Sequence, residues 1–319
     1  MIDEERIKAL FYNDFNILFV AAYGSYSRGE EAYVLGEDGI RRLYNDFDMV
    51  VVVKNKKLFY ALSDYYKKQM SKIVGEVEVD FLVLDKPLSL RQRSTIWYND
   101  FRLTKKIFFG DLYKMKPYFG DLKPRSISDF DVYAMFITRS WAAGCLSAKL
   151  IQNPYTSFYK RYQAAKLVIA TVDFYLLAHS RYETFLDEKL SALRLINDDF
   201  AQKLIPKFID AFQVKLSPAE SPPSMSSIDE EHFDEYLSDY NRAFSAYLSS
   251  KTFASDTMLK IFMILRHLKA LVFCKDKLVV KDLRNRNLIA SLVRVHWKRK
   301  KITNYSEKIA ERFIESHVN

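Results

Sequence analysis

Apolar residues in the first part of the chain come in short runs whose period changes from one run to the next. Residues 2–13 space them as on one side of an amphipathic helix. The run that follows, "FNILFVAAY", is apolar from Ile17 on, as a buried strand is, and it stops at the glycine turn "GSYSRG". "AYVLGEDGIRRLY" reads as a hairpin turning near Asp38-Gly39, and "DFDMVVVV" is a strongly β-branched strand. "NKKLFYALSDYYKKQMSKIVG" returns to helical spacing through Leu58, Leu62, Tyr65, Tyr66 and Ile73, after which "EVEVDFLVLD" alternates as a strand. "TIWYNDFRLTKKIFFGD" predicts a helix and then a short strand closing at Gly110.

Beyond that point the pattern is helical, in segments of roughly 128–152, 156–181, 184–216, 229–250, 252–275 and 283–298. The proline- and serine-rich stretch "LSPAESPPSMSSIDEE", residues 216–231, predicts a loop between helices. Glycine usage draws the same line. All eight glycines fall at or before position 144, and glycine serves tight turns and close backbone approaches. A turn-rich front of strands and helices is therefore followed by an all-helical back.

Composition narrows the function only a little. At 319 residues and 49% hydrophobic, the chain can bury one large core or two medium ones. No apolar run reaches the roughly 20 residues of a membrane-spanning helix. The start, "MIDEERIKALFYND", is acidic and amphipathic, without the apolar centre of a secretory signal. Cys145 and Cys274 have no paired-cysteine spacing and read as buried thiols of a cytoplasmic protein. The net charge of +9 favours anionic partners (nucleotides, phosphorylated metabolites, nucleic acid or a membrane surface) without choosing among them. The densest basic cluster, "HWKRKK" at 296–301, reads as a solvated helix end.

The chemistry concentrates in the front part. Side chains alternate along a strand, so Asp46 and Asp48 share one face while Phe47, Met49, Val51 and Val53 take the other. Such a pair is also an ordinary solvated strand start, but a divalent cation would offset the repulsion of two adjacent carboxylates. The next strand adds Asp80, on one face with Glu76 and Glu78 but where the surrounding residues turn wholly apolar; Glu78 reads as a plain exposed strand residue. Gly24 lacks the Cβ that would block close approach, Ser25 brings a hydroxyl, and Arg28 adds a cation, the equipment of a turn that holds phosphate oxygens.

Taken together, "FVAAYGSYSRG", "NDFDMVVV" and "EVEVDFLVL" resemble the nucleotidyltransferases of the DNA polymerase β superfamily, and "YNDFRLTKKIFFGD" looks like the segment that closes many of their catalytic domains. The resemblance covers about residues 14–112. It implies an α+β fold: a small mixed-sheet nucleotidyltransferase domain over 1–125, then a helical domain over 126–319. It also implies two-metal transfer of a nucleoside monophosphate from a nucleoside triphosphate (NTP) to an acceptor, with release of pyrophosphate. Asp46 and Asp48 would hold both Mg²⁺ (or Mn²⁺) ions, and Asp80 would ligate the one near the attacking hydroxyl. Gly24 and Ser25 would grip the terminal phosphates, with Arg28 offsetting their charge. In two-domain transferases an early helix of the second domain lines the nucleotide cleft, which brings in Lys166 beside Lys160 and Arg161 of "SFYKRYQAAKLVI". One departure is the 30–45 insertion between Ser25 and Asp46, which leaves the acceptor open between a small molecule and a protein, either preferred to nucleic acid. Two other functions stay open: a synthase of cyclic or linear oligonucleotide signals, and a catalytically silent nucleotide- or RNA-binding module. The histidines (179, 232, 267, 296 and 317) show no zinc spacing.

Overall fold

A computed structural model describes residues 2–35, 41–44, 46–75, 77–90, 92–123, 125–129, 131–132, 135–136, 139, 155–217 and 230–250. Outside them lie the turn at Asp38-Gly39, Glu76, both cysteines, most of 216–231 and the segments expected at 252–275 and 283–298. The chain is α+β and forms two units. The first takes residues 1–131, 184–186 and 215–220, and the second takes 132–183, 187–214 and 221–319. Among the described residues no helix is long and apolar enough to cross a membrane.

In the first unit, α1 (Glu4–Tyr12) starts where the Asp3 carboxylate accepts the Arg6 N–H at 3.1 Å, and it buries Ile7 and Phe11. Strand β1 (Ile17–Ala22) runs into α2 (Gly24–Arg28), a single helical turn that stops at Gly29. Strands β2 (Tyr33–Leu35) and β3 (Arg41–Leu43) form an antiparallel two-stranded ladder within the insertion. Strand β4 (Phe47–Val53) leads to α3 (Lys56–Val74), capped by the Asn55 side chain, and then to β5 (Val79–Leu84). Helix α4 (Ile96–Thr104), capped by Thr95, strand β6 (Lys106–Phe109) and the short α5 (Lys116–Phe119) follow.

The four long strands make one mixed sheet in the order β5-β4-β1-β6. β4 and β5 run parallel, while β1 is antiparallel to both β4 and β6. Both faces of the sheet are covered, which is why "ILFVAA" and "MVVVV" show no polar alternation. Met49, Val51 and Val53 pack with Ile7, Phe11, Phe59 and Met70 on one face. Val50 and Val52 pack with Phe19, Ala21, Tyr98, Phe101 and Phe119 on the other. Each large apolar side chain so buried contributes about 1.5–3 kcal/mol. The α3 face differs in part from its sequence spacing. Phe59, Tyr66, Met70 and Val74 are buried, whereas Leu58, Leu62 and Tyr65 are about half exposed. Two apolar stripes run along this helix, and the sheet covers only one.

In the second unit, α6 (Tyr155–Ala178) packs against α9 (Glu230–Ser249). Their contact holds an aromatic cluster in which Phe174, Tyr240 and Phe244 surround Phe136, and the Tyr240 hydroxyl donates to the Phe136 carbonyl at 2.7 Å. The segment expected as one helix over 184–216 is two, α7 (Leu186–Arg194) and α8 (Asp199–Leu216). The break falls at Asp198, whose carboxylate accepts the Ala201 N–H at 2.8 Å and starts a new helix.

Candidate functional site

The strand directions bring three chain segments to one end of the sheet. β4 and β5 are parallel and start there, and β1 is antiparallel to β4 and finishes there, with Ala22 opposite Met49. Asp46 lies just before β4. Asp48 lies within it, on the face of Val50 and Val52, and is paired in register with Asp80 of β5. Neighbouring residues at matched register share a face, so the two carboxylates stand side by side. One oxygen from each of Asp46, Asp48 and Asp80 lies within 4.8 Å of the others. Asp46 and Asp80 are exposed and Asp48 is half-buried. Among the described residues no other group of three or more histidines, cysteines or acids is placed to share an ion.

The turn after β1 closes against this cluster. Gly24 has φ +73°, and a Cβ built on it would stand 2.6 Å from Asp48 Oδ2. Only glycine lets the backbone pass so near the carboxylate in that conformation. Ser25, the next residue, is buried, and its carbonyl accepts the Glu30 N–H at 2.9 Å. Tyr23 ties the turn to β4, its N–H donating to the Asp48 carbonyl at 3.1 Å. Its ring meets Trp97 edge-on, with centroids 5.6 Å apart. Burial above all, and then the charges of Asp48, Asp80 and Asp46, push the Tyr23 phenol well above its ordinary pKa. On the open side, Lys67 Nζ lies 4.0 Å from Asp80 Oδ1, with both side chains near half exposed, a weak pair that solvent screens.

These donors suit a hard cation. Three carboxylates with solvent access match Mg²⁺ or Mn²⁺, which take oxygen ligands and keep some water, and none of the three is a soft donor of the kind zinc or copper favours. The glycine turn leaves room beside Asp48 where a side chain would stand.

Asp46, Asp48, Asp80, Gly24 and Ser25 thus fall in one neighbourhood. Arg28 ends α2, and its guanidinium is bonded to Glu30 and Asp100. Lys166 belongs to the second unit, on α6, half-buried with its ammonium 4.8 Å from the centre of the Tyr162 ring. Glu78 is exposed, and its carbonyl accepts the Phe47 N–H at 2.8 Å. His179 follows α6, with Nδ1 2.9 Å from the Tyr175 carbonyl. Tyr23, Glu30 and Asp100 carry no motif. The one local sign was the position of Tyr23 directly before Gly24. Comparison of the chain with protein-family models, with curated proteins and with solved structures finds no match.

Proposed function

We propose that the chain is a metal-dependent nucleotidyltransferase of the DNA polymerase β superfamily, moving a nucleoside monophosphate from an NTP to a small-molecule or protein acceptor. The observation that carries this reading is the in-register pairing of Asp48 with Asp80, with Asp46 alongside and Gly24 against the Asp48 carboxylate. Asp46 and Asp48 would hold both Mg²⁺ ions, and Asp80 would hold the one nearer the acceptor. Bound there, Mg²⁺ would supply Lewis-acid stabilisation of the entering and leaving oxygens. The acceptor oxygen bonds to the α-phosphorus as the bond from that phosphorus to the bridging oxygen breaks. The electron pair leaves with pyrophosphate, and the acceptor proton passes to solvent or a carboxylate. Gly24 and Ser25 serve the terminal phosphates.

The test is pyrophosphate release from each NTP with Mg²⁺ across an acceptor panel, run beside nucleotide binding. Asp80→Asn is expected to abolish turnover while keeping triphosphate binding, because Asp46 and Asp48 remain. Wild-type turnover in Asp80→Asn would remove the three-carboxylate mechanism. A wild type that releases no pyrophosphate with any NTP and acceptor would remove the transferase reading.

A further inference from the structure

Arg28 has the sequence position of a phosphate ligand but the surroundings of a structural clamp. Its Nε lies 2.6 Å from Glu30 Oε2 and its Nη1 3.2 Å from Asp100 Oδ2, and the three side chains are only 15%, 9% and 14% exposed. The other oxygen of each acid is also engaged, both times by the segment 184–186. The Thr184 hydroxyl donates to Asp100 Oδ1 at 3.0 Å, and the Leu186 N–H donates to Glu30 Oε1 at 2.7 Å. That segment belongs to the first unit although the residues on either side of it in sequence belong to the second. A guanidinium between two desolvated carboxylates is held firmly by charge-assisted hydrogen bonds, and removing either acid takes away one of its two tethers.

The clamp reaches the turn through short links. Ser27 Oγ lies 3.0 Å from the Gly24 carbonyl and 3.1 Å from Thr104 Oγ1, which lies 2.9 Å from the Asp100 carbonyl; with one proton on each hydroxyl, two of these three contacts are hydrogen bonds at a time. The Gly24 carbonyl is thus linked to α4 through Ser27 and Thr104, and Arg28 ties the far end of α2 to Asp100 of the same helix.

We infer that Arg28 is a positioning residue for the Gly24–Ser25 turn, completed by Asp100, Glu30 and the segment Thr184–Leu186, and that triphosphate bound at the turn tightens this segment. The inference rests on the reading that the turn holds NTP phosphates. It makes a prediction opposite in sign to direct phosphate contact. If Arg28 touched the phosphates, Asp100→Asn would loosen one of its two carboxylate tethers, remove a negative charge and tighten triphosphate binding. If Arg28 positions the turn, the same change loosens it and weakens binding.

The experiment uses the full chain with Mg²⁺. Calorimetry gives the affinities for NTP and for the corresponding monophosphate in wild type, Asp100→Asn, Thr184→Val and Arg28→Lys. Hydrogen exchange follows the 184–186 amides with and without Mg·NTP. Thr184→Val removes a single hydroxyl and supplies the folded variant should Asp100→Asn unfold. Expected are a loss of about five- to tenfold in triphosphate affinity, the worth of one hydrogen bond, in both Asp100→Asn and Thr184→Val. The monophosphate should lose less, Arg28→Lys, which cannot bridge both acids, should also bind triphosphate more weakly than wild type, and the Leu186 amide should exchange more slowly with NTP bound. A loss of general stability alone would not change the ratio of triphosphate to monophosphate affinity. Unchanged or tighter triphosphate binding in the folded variants, or Leu186 exchange indifferent to NTP, overturns the inference while leaving the transferase reading intact. A wild type that binds no NTP overturns both.

Discussion

Gly24 and Gly29 bracket α2 with almost the same backbone angle, φ +73° and +71°, and this makes one a control for the other. Alanine at either position meets the left-handed penalty of an L-residue, about 1–2 kcal/mol. At Gly29 the added Cβ finds nothing within 4 Å. At Gly24 it would meet Asp48 Oδ2 at 2.6 Å, so the carboxylate must withdraw by about 0.8 Å to reach the 3.4 Å of ordinary contact. The obstacle is the tip of a side chain rather than backbone, so the fold can yield and the extra stability cost is small. The displaced oxygen, however, belongs to the proposed cation site. Disturbing the shell around a metal ligand costs about 10–100-fold in affinity. Urea unfolding should therefore show similar losses for Gly24→Ala and Gly29→Ala. Mn²⁺ titration should show weakened binding only for Gly24→Ala. Equal Mn²⁺ affinity in the two variants would refute the argument that the turn makes room for the Asp48 ligand.

Two further outcomes test the packing and the charge network. Phe59→Ala, at a fully buried position of α3, should destabilise the chain by about 3–5 kcal/mol. Leu62→Ala, at 46% exposure on the same helix, should stay within about 0.5 kcal/mol, and similar losses in urea unfolding would mean the wrong stripe has been assigned to the core. In the second unit, the hydrogen bond from the Lys207 ammonium holds Glu235 below the ordinary glutamate value of 4.5, with Lys203 adding to the effect and burial opposing it. A depressed carboxylate stabilises fully above its unfolded pKa and loses that contribution as pH falls through its lower folded value. The wild-type melting temperature should thus fall more steeply below pH 4.5 than that of Glu235→Gln, and parallel curves would count against the pair.

Much of the first unit was legible because strands and helices differ in period. The runs around Val20, Val51 and Val83 became β1, β4 and β5, and period two alone put Asp46 and Asp48 on one face. Which stripe of α3 meets the sheet was not legible, since Leu58-Leu62-Tyr65 and Phe59-Tyr66-Met70 have equally helical spacing and only the sheet decides between them. The surroundings of Arg28 were hidden for a different reason. Its partner Asp100 lies 72 positions away, and the Leu186 N–H that completes Glu30 lies 156 positions from it. No local pattern encodes pairings at that range. The break at Asp198 was hidden as well, because a cap inside a continuous helical period does not by itself declare a new helix.

The return of residues 184–186 to the first unit bears on how this protein can be divided and how it could have been assembled. A fragment ending at residue 131 would keep every strand of the sheet and all three aspartates of the cluster. It would lack the Thr184 hydroxyl and the Leu186 N–H, leaving Asp100 and Glu30 each short of a donor in a desolvated place. Such a fragment should be less stable than the same sheet with residues 184–186 in place. Exchange of the chain beyond residue 131 would have to bring back, within the first unit, a hydroxyl placed as that of Thr184 and a backbone N–H placed as that of Leu186.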